Sequence, residues 1–281
     1  MNSMNIAQER ILNRVNGELD LRGLGLTELP PLPEDVVVLN CSRNQLTILP
    51  ALPPSLERLY CADNQLKSLP ALPESLEYLQ CTKNQLTSLP ELPASLYTLY
   101  CDENQLTSLP ELPQEFRILR CRKNRLTSLP TLRPSMFSIQ VSENPLTALT
   151  LPLELERLEC DRCGLTSLPT LPTNLRSLNC RGNPLEDLPS LPSTLQEISC
   201  DLPMHEDPMM NDGPIVFRGM DPDWVGHIDH VFRQTMMRIN RESKERSMER
   251  CLVYYEELMH NRWNPDRVLP LLAKGYEIGD M

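Results

Sequence analysis

Ser55–Leu72 reads SLERLYCADNQLKSLPAL, Ser75–Leu92 reads SLEYLQCTKNQLTSLPEL, and Ser95–Leu112 reads SLYTLYCDENQLTSLPEL. The period is 20 residues, and an internal repeat of that length governs the fold of everything it covers. One column of the repeat is Cys41, Cys61, Cys81, Cys101 and Cys121. Val141 takes the next place, one residue is lost near Thr150, and the column resumes at Cys160, Cys180 and Cys200. A second column is Asn44, Asn64, Asn84, Asn104, Asn124 and Asn144, followed by Cys163 and Asn183. Leu19-x-Leu21-x-x-Leu24-x-Leu26 opens the series in degenerate form, giving about ten units between residues 17 and 201.

Within a unit, Leu59 and Cys61 alternate as the inward face of a short strand. Asn64 stands where the chain turns off the strand, and its amide can satisfy backbone groups left free by the turn. Leu66, Leu69 and Leu72 return to the same core. The Leu-Pro-x-Leu-Pro stretch, such as Leu69 to Pro73, cannot form a regular helix and should run extended down the convex side. The 27 prolines of the 281-residue chain are therefore punctuation of a repeat rather than a mark of disorder. The pattern L-x-x-L-x-L-x-x-N-x-L predicts an α/β solenoid, a leucine-rich repeat horseshoe of short parallel strands with extended convex segments.

Residues 1–16 read as a helical N-terminal cap, with Ile11, Leu12 and Val15 on one stripe and Asn16-Gly17 as the stop. Residues 17–201 are the repeats. Residues 202–220, with Pro203, Pro208, Gly213 and Pro214, read as a linker. Residues 221–281 read as an α-helical C-terminal tail, opened by Asp221-Pro222-Asp223 and carrying Trp224, Ile228, Val231 and Phe232 at helical spacing.

The stretch Asn13–Leu56, NRVNGELDLRGLGLTELPPLPEDVVVLNCSRNQLTILPALPPSL, resembles the repeat domain of bacterial type III effectors. These are the effectors of the invasion-plasmid-antigen H, Salmonella-secreted H and Yersinia outer protein M group, and the resemblance spans roughly residues 6–201. It implies a protein-binding module that acts on host proteins in a reducing host cytoplasm. The H-type members carry a separate ubiquitin-ligase domain with a Cys-x-Asp nucleophile, and the 80 residues after the repeats are too few for it. The resemblance thus implies a binding module without the ligase, or the substrate-recognition part of a ubiquitin-ligase system. The ending YEELMHNRWNPDRVLPLLAKGYEIGDM is similar to C-terminal segments in proteins of large DNA viruses of protists.

The formal net charge of −11 argues against a general nucleic-acid binder. No apolar run is long enough to span a membrane. The ladder cysteines replace inward leucines and are expected as reduced core residues of a cytoplasmic protein. Cys160-Asp161-Arg162-Cys163 has redox or zinc spacing, but register makes Cys160 a strand residue and puts Cys163 in the asparagine place. Cys61-Ala62-Asp63 fits the ligase letters, yet the repeat accounts for it. His227 and His230 are three apart on a helix, with Cys251 and His260 downstream, and could ligate a metal, but His230 fits better at the edge of the packed face. No catalytic residue, metal or cofactor is therefore expected.

The residues flanking the inward strand positions fall on the concave face, where solenoids bind. Tyr60, Tyr78 and Tyr100 adjoin Arg120 and Arg122 there, with Arg58 beside them. Tyr and Arg are enriched at binding hot spots, so Arg58, Tyr60, Tyr78, Tyr100, Arg120 and Arg122 are the expected partner-binding residues. Charge reversal at Arg120 and Arg122 is expected to remove binding and leave thermal stability unchanged.

Overall fold

The structure, a computed structural model, describes residues 3–201 and the backbone of Val216–Phe217. Helix α1 (Ser3–Leu12) is followed by strands β1 (Glu18–Asp20), β2 (Val38–Asn40), β3 (Arg58–Tyr60), β4 (Tyr78–Gln80) and β5 (Thr98–Tyr100). Then come β6 (Ile118–Arg120), β7 (Ser138–Gln140), β8 (Arg157–Glu159), β9 (Ser177–Asn179) and β10 (Glu197–Ser199). Val216–Phe217, inside the stretch read as a linker, adds β11 beside β10. The strands form one parallel sheet in strict chain order. The helices expected over 221–281, with the histidines and Cys251, lie outside the described residues.

Each strand is three residues long from β1 to β10, with its middle residue buried. Leu59 and Cys61 are both fully buried, as the alternation requires. Leu66, Leu69 and Leu76 close the coil around them. The Leu-Pro-x-Leu-Pro arm carries neither helix nor strand. It ends in a turn in which the Leu76 N–H donates to the Pro73 carbonyl at 3.0 Å. A single apolar core runs the length of the described solenoid.

Two side-chain ladders tie the coils together. Asn84 Oδ1 accepts from the Leu66 N–H at 3.0 Å, and its Nδ2 donates to the Cys61 and Cys81 carbonyls at 3.0 Å each. Asn64, Asn104, Asn124 and Asn144 repeat this bridge to the preceding coil. At the opposite corner, the Ser75 hydroxyl faces the Pro54 and Leu56 carbonyls at 2.8 Å each, and Ser95 and Ser135 do the same one and three coils on. The serine column stood in the repeat but its role was not read from sequence. Cys163 replaces the asparagine with a weak thiol donor, 3.3 Å from the Val141 carbonyl. The Leu146 N–H, left without an asparagine oxygen, turns to the Asn144 carbonyl at 2.8 Å.

The residue lost near Thr150 leaves the sheet register unbroken. Ser138 pairs with Arg157, Ile139 with Leu158 and Gln140 with Glu159. The outer arm therefore absorbs the deletion, because only the strands are locked by ladder hydrogen bonds.

The N-terminal cap differs from the expected one. Ala7 is fully buried and Ile11 packs partly against the core, whereas Leu12 is 81% exposed and Val15 is 68% exposed. The helix ends at Leu12, so Val15 lies past it in a bridge with Glu18. The covering face is consequently the i, i+4 pair Ala7 and Ile11. Asn16 and Gly17 both take positive φ, at 55° and 71°, to turn the chain into β1. A Cβ on Gly17 would stand 2.8 Å from the Asp35 carbonyl oxygen, so the turn requires glycine.

Candidate functional site

The concave face is built from three side-chain columns: the outer residues of each strand and the residue after the buried cysteine. Parallel pairing sets Arg58 beside Tyr78, Tyr60 beside Gln80, and Tyr100 beside Arg120. The three tyrosines expected from sequence meet as one stack. The Tyr60 and Tyr78 rings lie 5.0 Å apart at 38°, and Tyr78 meets Tyr100 edge-on at 5.4 Å and 73°. The Arg120 guanidinium lies over the Tyr100 ring at 4.9 Å, a cation–π contact that closes one end of the stack. Burial, together with its two tyrosine neighbours, pushes the Tyr78 phenol above its ordinary value, so it remains a hydrogen-bond donor at neutral pH.

Arg120 and Arg122 are held by acids on other coils of the same face. Arg120 Nη2 is 3.2 Å from Asp102, and the Arg122 backbone N–H donates to the same carboxylate at 2.8 Å. Arg122 Nη1 is 3.7 Å from Glu159, which also binds Arg157 at 2.6 Å. Asp102 is buried, and that burial lifts its carboxyl above the ordinary range against the opposing pull of Arg122 and Arg120. The signal available in the sequence was an opposite charge one coil away in a neighbouring column, Asp102 against Arg120 and Arg122. Both arginines are therefore ion-paired rather than free. Their reversal would put carboxylates against carboxylates in a half-buried network.

The face therefore divides. Toward the N-terminus lie Val38, Arg58, Tyr60, Tyr78, Tyr100 and Ile118, an aromatic and aliphatic platform. Among the described residues Arg58 makes no ion pair within 4.0 Å. Toward the C-terminus the charges are committed to one another. Beyond Arg122–Glu159–Arg157, Asp161 accepts from Asn179 at 3.0 Å and from the Ser142 hydroxyl, and Arg181 pairs with Asp201 at 3.1 Å. A shallow, open cavity of about 470 Å³ lies among Arg157, Asp161, Asn179, Arg181 and Glu197.

The nine described cysteines are buried and unbridged. Burial raises the thiol pKa of Cys41 and of Cys81 to about 12, and that of Cys163 to about 11. Cys61 and Cys160 are pushed well up by the same cause, and Cys101 by its hydrogen bond with the Cys121 thiol as well as by burial. Burial of this kind disfavours the thiolate, the reactive form of cysteine. Cys61, Cys160 and Cys163 thus sit as buried members of the repeat core. Among the described residues no group of three or more His, Cys, Asp or Glu is placed to hold a metal. In the full chain with Cys251→Ser, an aromatic disulfide reagent at pH 7.5 should release no thiolate from the native protein. The nine described cysteines should all react in guanidinium, and rapid reaction without denaturant would contradict this burial.

The family described as leucine rich repeats (2 copies) matches residues 54–94. Solved structures agree over a longer span. YopM from Yersinia enterocolitica WA-314 is 32% identical with a TM-score of 0.64, over 78% of this chain and 57% of that one. YopM from Yersinia pestis, described as a leucine-rich effector protein, is 37% identical with a TM-score of 0.62, over 70% of this chain and 65% of that one. The chain thus spans less than two thirds of either YopM structure. A Shigella effector LRR domain is 37% identical with a TM-score of 0.52, over 65% of this chain and 77% of that one. No curated protein matches the chain.

Proposed function

The chain belongs to the leucine-rich repeat family that includes the Shigella effector domain and YopM, and from that premise we propose that it is a non-catalytic binding scaffold for partner proteins. The observation that carries this reading is the Tyr60–Tyr78–Tyr100 stack, an aromatic platform on the open face of a rigid sheet. Apolar rings held in place by neighbouring coils lose little freedom on binding, which lowers the ordering cost. Arg58 stands at the platform with no ion pair of its own and supplies the charged contact. Arg120 and Arg122 contribute by fixing Tyr100 and the sheet edge rather than as free hot spots. The buried, reduced thiol column supports action in a reducing compartment such as a host cytoplasm. The effector relatives support a host protein as the partner.

The test is quantitative capture from a eukaryotic lysate with the full chain and with Tyr60→Ser/Tyr78→Ser, both with unchanged circular dichroism. A partner held by the first and reduced at least tenfold with the second is the expected result. Equal recovery by both would sink the platform as the binding site. The likeness to the Shigella effector domain supports a second reading, selection of substrates for a ubiquitin-ligase system. Ubiquitin transfer to the captured protein that depends on residues 202–281 would favour it.

A further inference from the structure

One corner of each coil from Gly23 to Gly182 is turned by a residue with positive φ. From Arg43 to Arg162 the seven are Arg43, Asp63, Lys83, Glu103, Lys123, Glu143 and Arg162, with φ between 52° and 59°. Glycine occupies the same place at both ends, Gly23 and Gly182. L side chains adopt this conformation at a cost that glycine avoids. The interior coils nevertheless carry long charged residues there, and their signs alternate without a break. Backbone hydrogen bonds stack these corners coil on coil: Asp63 N–H to the Thr82 carbonyl, Lys83 to Asp102, Glu103 to Arg122, each within 2.9 Å. Neighbouring charges are thus one strand spacing apart, roughly 4.8 Å at the backbone. Arg162 reaches Glu143 at 3.8 Å.

The core is degenerate in register. Leu79, Cys81, Asn84 and Leu86 occupy the places that Leu99, Cys101, Asn104 and Leu106 occupy one coil later. A chain that looped out one coil would rebuild nearly the same core and the same asparagine bridges. We propose that the alternating corner column distinguishes the true neighbour from the next one. Looping out the Lys83 coil would set Asp63 against Glu103, and each single slip from the Asp63 coil to the Glu143 coil brings like charges together. The column marks odd and even coils where core packing does not, and it explains why strained, charged residues replace glycine at these corners.

The test compares three full chains. Asp63→Lys/Lys123→Asp keeps the net charge but changes the order to three positive, three negative and one positive, creating four like-charged contacts. The second chain inverts all seven signs and keeps the alternation. The third is the unaltered protein. In low salt the reordered chain should melt about 4–8 °C lower and leave a fraction that refolds slowly from urea. At 1 M salt, where screening acts within about 3 Å, most of the loss should disappear. The inverted chain should melt and refold like the unaltered one. A reordered chain that melts and refolds normally, or an inverted chain as impaired as the reordered one, would overturn the proposal.

Discussion

Asn84→Ala should lower the unfolding free energy by about 2–3 kcal/mol, more than the loss of one surface amide. Asn84 is buried and bonds the Leu66 N–H and the Cys61 and Cys81 carbonyls, the two carbonyls sharing it with Asn64 and Asn104. Alanine leaves the Leu66 N–H without its partner, while the Cys61 carbonyl keeps Asn64 at 3.2 Å and the Cys81 carbonyl keeps Asn104 at 3.0 Å. The orphaned N–H costs about 1–3 kcal/mol, and the loss of one of two donors at each carbonyl adds to it. Asn84→Asp should be nearly as damaging, because it keeps the acceptor, loses both donors and places charge beside two carbonyls. Urea titration of the full chain reads the effect as a fall in midpoint. A shift below about 1 kcal/mol would mean that the asparagine ladder is not the main clasp between coils.

Reversing both concave arginines, Arg120→Glu/Arg122→Glu, should cost about 3 kcal/mol or more in stability at pH 7, against the sequence expectation of no change. Asp102 would lose its cation and face a new carboxylate, and Glu159 would lose one of two. The pH dependence follows from Asp102. Its folded pKa already lies above the ordinary carboxylate value of 3.8 because of burial, and removing the arginines raises it further. A raised folded pKa means that the native state holds the proton more tightly than the unfolded chain. The stability it contributes is complete below pH 3.8 and is lost as pH rises through the folded value. The deficit of the double variant should therefore be smallest in acid and grow toward neutrality. Thermal melts from pH 3.5 to 7.5 check this, and a deficit independent of pH would place its origin elsewhere.

The legibility of the fold is uneven in an instructive way. Strands, register and core were readable because alternation at Leu59–Cys61 and the 20-residue period recur in coil after coil. Repetition turns weak local signals into a strong one. The cap was less legible, because one helix offers a single turn of pattern and Leu12 and Val15 look as apolar as Ile11. Where the helix stops, which sequence fixes only loosely, decided the face. The tyrosine stack was readable as a cluster because columns map directly onto neighbouring strands. The Asp102–Arg120 and Glu159–Arg122 pairs were not, since side-chain reach across two columns depends on rotamers. The serine ladder escaped for a different reason: Ser75 looks like any polar turn residue until the carbonyls of Pro54 and Leu56 are seen beneath it.

The backward reach of each asparagine also bears on how such a chain can lengthen. Asn64 completes the coil before it, and Asn84 completes the coil of Asn64, so an added coil arrives carrying what its predecessor lacks. Growth by duplication thus meets no barrier at the core. The corner column sets a finer rule. Copying one coil places two residues of the same sign side by side, whereas copying two restores the sequence of signs. The heritable unit that leaves both ladders intact is therefore the pair, a stretch of twice the 20-residue period.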